Sequence, residues 1–316
     1  MNIAEEVIAA EKVIRPYIRE TYLEYSPFYN RMTGAQVYFK LENLQHTGSF
    51  KLRGAMNKLL SLTAEEKGRG VVTASTGNHG AAFAFGLGIV KGRGVVFVPE
   101  NASPAKVAVI ERLGAEVRHI GTDSGETEAH ARDYAEKNKM THLPPYNDVK
   151  VIGGQGTIAL ELTNQLDRID AVYVALGGGG MISGISGYLK SINPEVEIIG
   201  CSPENSQVMI QSVRAGRILD LPSLPTLSDG TAGGVEPGSI TLDFCREFVD
   251  EYMTVTESEI KDSLQEFIQA QHMLIEGSAA VAVAACKKQG DRFAGKNVVV
   301  VICGGNISLE VLKDIL

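Results

Sequence analysis

Residues 71–80 read Val71-Val72-Thr73-Ala74-Ser75-Thr76-Gly77-Asn78-His79-Gly80, an apolar run followed by a turn rich in hydroxyl groups and glycine. The apolar run is typical of a short buried strand, and apolar residues at helical spacing follow the turn. The alternation then repeats, which predicts strands at 71–74, 95–98 and 116–120 and helices at about 78–91, 104–113 and 124–138. Strands that alternate with helices in this way indicate βαβ crossovers and a parallel sheet.

The alternation continues on both sides of this block. Tyr22 to Gly34 is predicted to be a loop, because Pro27 and Gly34 interrupt regular structure. Residues 217–240 form a second loop, and loops of this length are usually functional or mobile. The remaining elements are predicted as strands at 36–42, 171–176, 196–201 and 297–302 and as helices at about 2–14, 50–62, 153–167, 181–191, 204–215, 257–273 and 277–289, with a last helix near the C-terminus.

These elements predict an α/β fold with two open, mainly parallel twisted sheets flanked by helices. With 316 residues, the chain is long enough for two domains. The block around residues 71–80 ends at the return connection Pro144-Pro145-Tyr146-Asn147. We therefore predict a small domain over 67–148, and a large domain that comprises 1–66 and 149–316.

The composition is that of an ordinary soluble protein, with 44% apolar and 22% charged residues. The formal net charge is -8 and the basic residues are dispersed, so nothing indicates a surface for nucleic acid or an anionic membrane. The four cysteines form no CxxC pair, which argues against a disulfide framework or a structural zinc site. Because there is no apolar signal core and no apolar run of ~20 residues, we expect a cytoplasmic protein.

Four consecutive glycines, Gly177-Gly178-Gly179-Gly180, follow a predicted strand and open a helix. Successive glycines let backbone N–H groups approach an anion, and a helix N-terminus adds favourable partial charge. A tight turn alone would rarely need four glycines. The pattern is neither a P-loop, since no Lys-Ser/Thr follows, nor GxGxxG. It therefore favours a compact phosphate ester over a nucleotide.

Two other turns are of the same kind. Ser75 to Gly80 could hold a substrate carboxylate through amides and hydroxyls, although such residues are also ordinary helix caps. Cys303-Gly304-Gly305-Asn306 follows the last strand, and open α/β sheets bind ligands at the carboxyl ends of strands. Lys51, within Gln45-His46-Thr47-Gly48-Ser49-Phe50-Lys51-Leu52-Arg53-Gly54, is either a surface charge or the amine of a Schiff base. Three such turns and a lysine loop predict one cleft between the two domains.

In combination, these motifs resemble those of the pyridoxal-phosphate threonine/serine dehydratase and serine racemase family. The resemblance spans nearly the whole chain and implies the tryptophan synthase β-like fold (PLP fold type II), pyridoxal 5'-phosphate as cofactor and a homodimer. It implies β-elimination from a small amino acid substrate such as L-threonine or L-serine, which yields a 2-oxo acid and ammonia. The matching stretches are Lys40 to Glu42, Gly48 to Gly54, Ser75 to Gly80, Gly154 to Ala159, Gly177 to Gly180 and Cys303 to Asn306.

The resemblance also implies roles for individual residues. Lys51 would hold the cofactor covalently and act as the proton-transfer base, and Thr76 would be a second catalytic residue. The residues alone favour a packed or capping role for His79 over that of a base. The implied cofactor-binding residues are Lys51, Phe50, Asn78, Gly177, Gly178, Gly179, Gly180, Met181, Gly230, Glu276 and Cys303. The implied substrate-binding residues are Ser75, Thr76, Asn78, His79 and Asn147.

Departures from the family pattern leave alternatives open. Serine racemases of this family carry a serine where this chain has Thr76, whereas many threonine dehydratases carry alanine, so amino acid racemisation is one alternative. The stretches 202–206 and 229–237 look closer to a bacterial branch that includes hydroxyectoine-utilisation dehydratases. A hydroxyectoine-derived or 3-hydroxyaspartate-type substrate is therefore another alternative. Cysteine synthases share the fold, but Leu52-Arg53 after the lysine differs from their usual Asp-Arg. An intact Lys51 argues against a binding module that has lost catalysis.

The racemase relatives bind a divalent cation through two carboxylates and a backbone carbonyl. The positions that correspond here hold Ser202, Ser206 and Val208. Without a carboxylate at the first or last position, a hard cation would have too few charged oxygen ligands. We expect no metal site, although Glu204 lies two residues beyond the first position. Since the sequence ends directly after the last helix, we also expect no regulatory domain.

Overall fold

The computed structural model describes residues 2–316, without the side chain of Ser124. Within these residues the strands β1–β10 are Leu23–Tyr25, Gln36–Leu41, Val71–Ala74, Gly94–Val98, Glu116–His119, Thr141–His142, Ala171–Ala175, Glu197–Pro203, Glu251–Val255 and Asn297–Ile302. The helices α1–α14 are Ile3–Ile14, Pro27–Thr33, Lys51–Ser61, Ala64–Arg69, Asn78–Val90, Pro104–Arg112, Ser124–Lys137, Val149–Gln165, Gly180–Ile192, Val208–Ala215, Thr241–Phe248, Glu257–Gln271, Gly277–Lys288 and Leu309–Ile315. No helix of this described part is long and apolar enough to cross a membrane.

The larger sheet has six strands in the order β1-β2-β10-β7-β8-β9. All neighbouring pairs are parallel except the β1–β2 pair at the edge, which is antiparallel. Its central strand β10 is a run of valines that is buried on both faces, as is usual for parallel sheets covered by helices. The alanine-rich α13 packs across β7, β8 and β10, because small side chains let a helix approach a sheet closely.

The smaller sheet has four strands in the order β5-β4-β3-β6, all parallel. It has its own apolar clusters, in which Phe83 and Leu87 of α5 and Ile110 of α6 pack with Val71 and Val96. These strands lie within residues 71–142, inside the range predicted for a small domain. The two mainly parallel sheets with flanking helices confirm the predicted fold class.

The prediction of a loop over residues 22–34 was wrong, because this segment contains β1 and α2. Pro27 stands in the first turn of α2, where its missing N–H group removes no helical hydrogen bond. Ser26 caps the helix by accepting a hydrogen bond from the Tyr29 amide, and Gly34 ends it in the left-handed conformation. Pro27 and Gly34 therefore mark the ends of a helix here.

Other differences between the predicted and observed elements lie where a strand depends on its partner strand or where a helix depends on its cap. Neither α11 nor β9 was predicted, and β9 is a half-exposed edge strand without a clear apolar alternation. Two of the predicted helices, 153–167 and 204–215, begin elsewhere. The first starts at Val149, because Asp148 accepts hydrogen bonds from the next amides. The second starts at Val208, because β8 extends to Pro203 and its pairing with β9 continues through the Glu204 amide.

Candidate active site

Three neighbouring strands of the larger sheet, β2, β10 and β7, run parallel and end at the same edge. The lysine loop (residues 42–53) follows β2, Cys303 follows β10, and the tetraglycine turn (residues 177–180) follows β7. The turn after β3 of the smaller sheet faces the same space. A cavity of about 1070 Å³ lies between them and is lined by all four segments. This volume is at the upper end for small-molecule sites and is ample for a cofactor together with a substrate.

Lys51 is the first residue of α3, and its side chain points into the cavity. Its Nζ donates a hydrogen bond of 3.0 Å to the Pro145 carbonyl and lies 5.3 Å from the centroid of the Phe50 ring. Burial of the amine lowers its pKa to about 8, while negative charge at Cys303 and Glu276 would act in the opposite direction. A lysine with a lowered pKa is neutral more often near pH 7, which suits a nucleophile or a base.

The lysine loop is tied directly to the segment after β10. The Phe50 amide donates to the Cys303 carbonyl at 3.0 Å, and the Gly305 amide donates to the Gly48 carbonyl at 2.9 Å. Asn306 Nδ2 adds a bond of 2.9 Å to the Thr47 carbonyl. Gly48 has a φ of +73°, and a Cβ there would meet the Asn306 side chain. The residues just before Lys51 are therefore tied to the segment that follows β10.

The tetraglycine turn packs so closely against neighbouring residues that it has no room for side chains. A Cβ on Gly178 would lie within 2.6 Å of the Tyr146 ring, and one on Gly180 would lie 2.8 Å from the Tyr146 Cβ. Gly179, at the N-cap of α9, has a φ of +84°, which favours glycine. The four glycines line the cavity at the N-terminus of a 13-residue helix. Such an arrangement fits a phosphate group.

The turn after β3 leads into α5, whose first residue is Asn78 and whose N-cap is Gly77. Ser75 and Thr76 line the cavity, and Ser75 Oγ accepts a hydrogen bond of 3.2 Å from the Gly77 amide. His79 is buried, and its Nε2 lies 3.2 Å from the Leu143 carbonyl. Burial, with the nearby Lys51 charge, lowers the pKa of His79 to about 3. A histidine that is neutral throughout the usual pH range fits a packing role.

A polar cluster closes the far side of the cavity. Asn78 Nδ2 donates to both carboxylate oxygens of Glu276, at 3.0 and 2.9 Å, and the Asn306 amide donates to Glu276 Oε2 at 3.2 Å. The Cys303 Sγ lies 3.8 Å from Glu276 Oε1. Burial raises the pKa of Glu276 to about 7, despite the hydrogen bond from Asn78, and burial also raises the pKa of Cys303 well above its ordinary value.

Glu276→Gln should change how the stability of the cofactor-free protein depends on pH. The folded chain binds the Glu276 proton more tightly than the unfolded chain, because the pKa rises from 4.5 to about 7. The wild type should therefore lose stability relative to the variant as the pH rises through this window, by roughly 3 kcal/mol in total. Urea unfolding of both proteins between pH 4.5 and 8 measures the difference. A constant difference across this range would contradict the assignment.

All but one of the residues implied by the resemblance line this cavity. The exception is Asn147, which is not among the lining residues; its Oδ1 accepts a hydrogen bond of 3.0 Å from the Ile240 amide. The cavity also contains residues that were given no role from the sequence. Tyr146 and Asn306 lie within motifs that were recognised, so their positions carried a signal. Glu236 lies in the stretch 229–237, which was noted only for its similarity to a dehydratase branch. Lys106, Glu128 and Arg132 lie outside any motif and carried no signal.

Comparisons with known proteins show which family this chain is similar to along nearly its whole length. The family model described as pyridoxal-phosphate dependent enzyme matches residues 14–304. An L-threonine ammonia-lyase from Thermotoga maritima is 40% identical, over 100% of this chain and 78% of its own length. The L-threonine dehydratase catabolic TdcB of Escherichia coli K12 is 37% identical, over 98% of this chain and 95% of its own. The crystal structure of serine racemase from Dictyostelium discoideum superposes with a TM-score of 0.90 at 35% identity, and covers 97% of this chain and 99% of its own.

The recessed lysine, the glycine turn at a helix N-terminus and the matches along nearly the whole chain all agree with the resemblance inferred from the sequence motifs. The chain belongs to the family of pyridoxal-phosphate dependent enzymes.

Proposed function

We propose that this protein is a pyridoxal-phosphate-dependent ammonia-lyase that converts L-threonine or L-serine to a 2-oxo acid and ammonia. The observation that carries the proposal is the lysine amine of lowered pKa that faces a glycine turn for phosphate and a hydroxyl-rich helix N-terminus for a carboxylate. The relatives named as threonine ammonia-lyase and dehydratase, at 36–40% identity, support the same reaction.

The residues present fit the cofactor. The tetraglycine turn and Met181 would hold the phosphate, Lys51 would hold the aldehyde carbon, and Phe50, Gly230 and Glu276 would lie near the ring. Asn78 and Cys303 would face polar atoms on the ring. When bound, pyridoxal phosphate supplies a carbonyl for the amines and a conjugated ring that takes up electrons from the substrate Cα–H bond.

Residues of the chain itself remove the substrate proton, bind the substrate carboxylate and contact the ring. The Lys51 amine, largely desolvated, removes the proton from the substrate Cα. The amides at the start of α5 and the hydroxyls of Ser75 and Thr76 hold the substrate carboxylate. The Cys303 thiol, whose raised pKa keeps it protonated, offers a neutral partner to the ring. A neutral partner favours prompt loss of the β-hydroxyl over long-lived carbanion chemistry.

The charges in the cavity favour a neutral substrate side chain over 3-hydroxyaspartate. Apart from Lys51, the cations among the described lining residues are Lys106 and Arg132. Lys106 is paired with Asp229 at 3.0 Å, and Arg132 is paired with Glu236 and, at 3.3 Å, with Glu128. A second carboxylate on the substrate would therefore have to displace an existing ion pair. Threonine and serine require no such exchange.

Racemisation is the second candidate, because Thr76 places a hydroxyl in the same cavity as Lys51. One assay separates the two. The purified protein should show a band near ~415 nm from the cofactor on its lysine. It is then supplied with L-serine, L-threonine, a hydroxyectoine-derived substrate or 3-hydroxyaspartate, and both 2-oxo acid release and chirality are followed. Inversion faster than 2-oxo acid release would make racemisation the main activity.

We also propose how the chain is divided into domains, where it is located and how it assembles. Residues 67–148 would form a small domain that closes over the substrate, against a large domain of 1–66 and 149–316. Two ion pairs, Lys106–Asp229 and Arg132–Glu236, already join α6 and α7 to the 229–236 loop. We place the enzyme in the cytoplasm. We also propose that it is a homodimer, which light scattering of the purified protein would test.

Removal of divalent cations should leave activity unchanged. Ser202 donates to the Leu176 carbonyl, Ser206 pairs with Ser223, and Val208 offers no side-chain oxygen, so none of them provides the charged ligand a hard cation needs. Dialysis against EDTA followed by the 2-oxo acid assay measures this. A loss of activity that Mg²⁺ restores would contradict the prediction, and would point to Glu204.

A further inference from the structure

A buried network of ion pairs lies beneath the lysine loop and outside the cavity. Arg53 stands two residues after Lys51, yet its side chain is 0% exposed, as are those of Glu42 and Lys40. Glu161 is 2% exposed. None of these four residues lines the cavity. Charges in such a setting are costly unless they are paired, and burial of this kind is weak evidence for a role in stability alone.

Arg53 binds two carboxylates, each through two hydrogen bonds. Its Nε and Nη2 donate to Glu42 at 2.7 and 2.8 Å, and its Nη1 and Nη2 donate to Glu161 at 2.7 and 2.9 Å. Arg53 also donates to two hydroxyls, from Nη1 to Thr157 at 3.1 Å and from Nη2 to Thr21 at 3.5 Å. Burial disfavours the guanidinium charge, but the two carboxylates outweigh it and raise the pKa of Arg53. Only a planar fork can make both bidentate contacts at once.

The network is balanced in charge and well saturated. Lys40 Nζ donates to Glu161 at 2.5 Å, to the Thr21 carbonyl at 2.8 Å and to Gln165 at 2.9 Å. The two buried cations therefore meet two buried anions. Glu161 also accepts a hydrogen bond of 2.6 Å from Arg15, a half-buried cation that is paired with Glu11 as well. Removing the fork of Arg53 would leave Glu42 without its cation, because Lys40 is already directed at Glu161.

Glu42 and Arg53 stand at opposite ends of the lysine loop along the chain. Glu42 directly follows β2, and Arg53 stands in the first turn of α3, so their ion pair joins the two ends of the lysine loop. On its other side Arg53 is fixed to α8 through Glu161. The pair thus closes the loop at its base, while Lys51, two residues before Arg53, projects into the cavity.

We propose that Arg53 is a positioning residue that fixes where Lys51 enters the cavity and keeps its amine desolvated. The inference rests on the proposed role of Lys51. A loop clasped at its base by a rigid fork has little freedom to move the lysine, and a misplacement of ~1 Å can lower a rate by ~10²-fold. A role in stability alone would have no effect on how the Lys51 amine titrates.

The test compares Arg53→Lys, which keeps the charge but loses the fork, with wild type. We expect kcat to fall ~10²-fold with a much smaller change in KM. We also expect a shift in the pH dependence of the rate at which the cofactor-free protein incorporates the cofactor. This rate should level off near pH 8 in wild type and at a higher pH, toward 10.5, in the variant. Borohydride reduction and mass spectrometry confirm that the cofactor is on Lys51. Lys58→Met removes another ion pair of α3, to Asp148, and should leave both readouts unchanged.

Glu42→Asp is the second variant, because it keeps every charge and only shortens the side chain that binds Arg53. If Arg53→Lys does not fold, Glu42→Asp decides by the same two readouts. A lower melting temperature with an unchanged kcat and incorporation profile, in whichever variant folds, would overturn the proposal. Wild type that incorporates the cofactor but releases no 2-oxo acid would overturn the lyase assignment instead, and the incorporation profile would still test Arg53.

Discussion

Lys51→Met should lower 2-oxo acid release by at least ~10⁴-fold and abolish the band near ~415 nm, because the methionine keeps the aliphatic stem but has no amine. Lys58→Met removes a lysine from the same helix, outside the cavity, and should retain wild-type activity. Full 2-oxo acid production by a colourless Lys51→Met protein would refute the mechanism.

The same variant should gain stability in the cofactor-free form. The folded chain binds the Lys51 proton less tightly than the unfolded chain, because burial lowers the pKa from 10.5 to about 8. The charged amine therefore destabilises the fold below pH 8, and this effect disappears as the pH rises toward 10.5. We expect Lys51→Met to be about 3 kcal/mol more stable at pH 7. Urea unfolding at pH 7 and pH 10 measures the effect. An equal difference at both pH values would contradict this explanation.

Gly178→Ala should weaken pyridoxal phosphate binding by ~10–10²-fold, which corresponds to the ~1–3 kcal/mol typical of overpacking. The added Cβ would lie within 2.6 Å of the Tyr146 ring. The ring cannot move freely, because the Tyr146 hydroxyl accepts a hydrogen bond of 2.8 Å from the Glu236 amide. The tetraglycine turn would therefore have to shift and lose its alignment toward the phosphate. Titration of the cofactor-free protein with pyridoxal phosphate, followed near ~415 nm, gives the affinity.

Two further variants isolate that contact. Gly88→Ala is the control, because a Cβ at Gly88 in α5 meets no atom within 4 Å. It should bind the cofactor as wild type does and gain stability, since alanine is favoured over glycine within helices. Adding Tyr146→Ala to Gly178→Ala should restore part of the affinity by making room for the methyl group. Unchanged affinity in the single variant would mean that the turn tolerates a side chain.

The sequence alone was sufficient where local patterns determine structure. The strands and helices between Val71 and Lys137 lie within one or two residues of the prediction, because each apolar run is bounded by its own turn. Since parallel strands of one sheet share a carboxyl edge, the turns after β7 and β10 could be expected to meet. The turn after β3 belongs to the smaller sheet, and it was expected in the same cleft because its motif is of the same kind. Their meeting with Lys51 in one cavity confirms that expectation.

What could not be predicted depends on contacts between distant residues. β1 has three residues and pairs with β2, and β9 pairs with β8, so neither has a distinct pattern of its own. Glu161 is 108 residues from Arg53, and no motif or spacing connects them. The bonds between Asn78 and Glu276 likewise join residues 198 positions apart. The roles of individual site residues, which the variants above test, and the division into domains stay predictions.

The pairing of β2 with β10 joins a segment that leaves the ribosome early to one that leaves it late. Thr47 and Asn306 lie 259 residues apart, yet their hydrogen bond and the neighbouring backbone bonds tie the lysine loop in place. The smaller sheet lies within residues 71–142, so it can form on the nascent chain long before β10 is made. The lysine loop cannot be tied in place until β10 and Asn306 have been made. We therefore expect capture of the cofactor only after residue 306 has been synthesised, and a product truncated before that residue would lack the finished site.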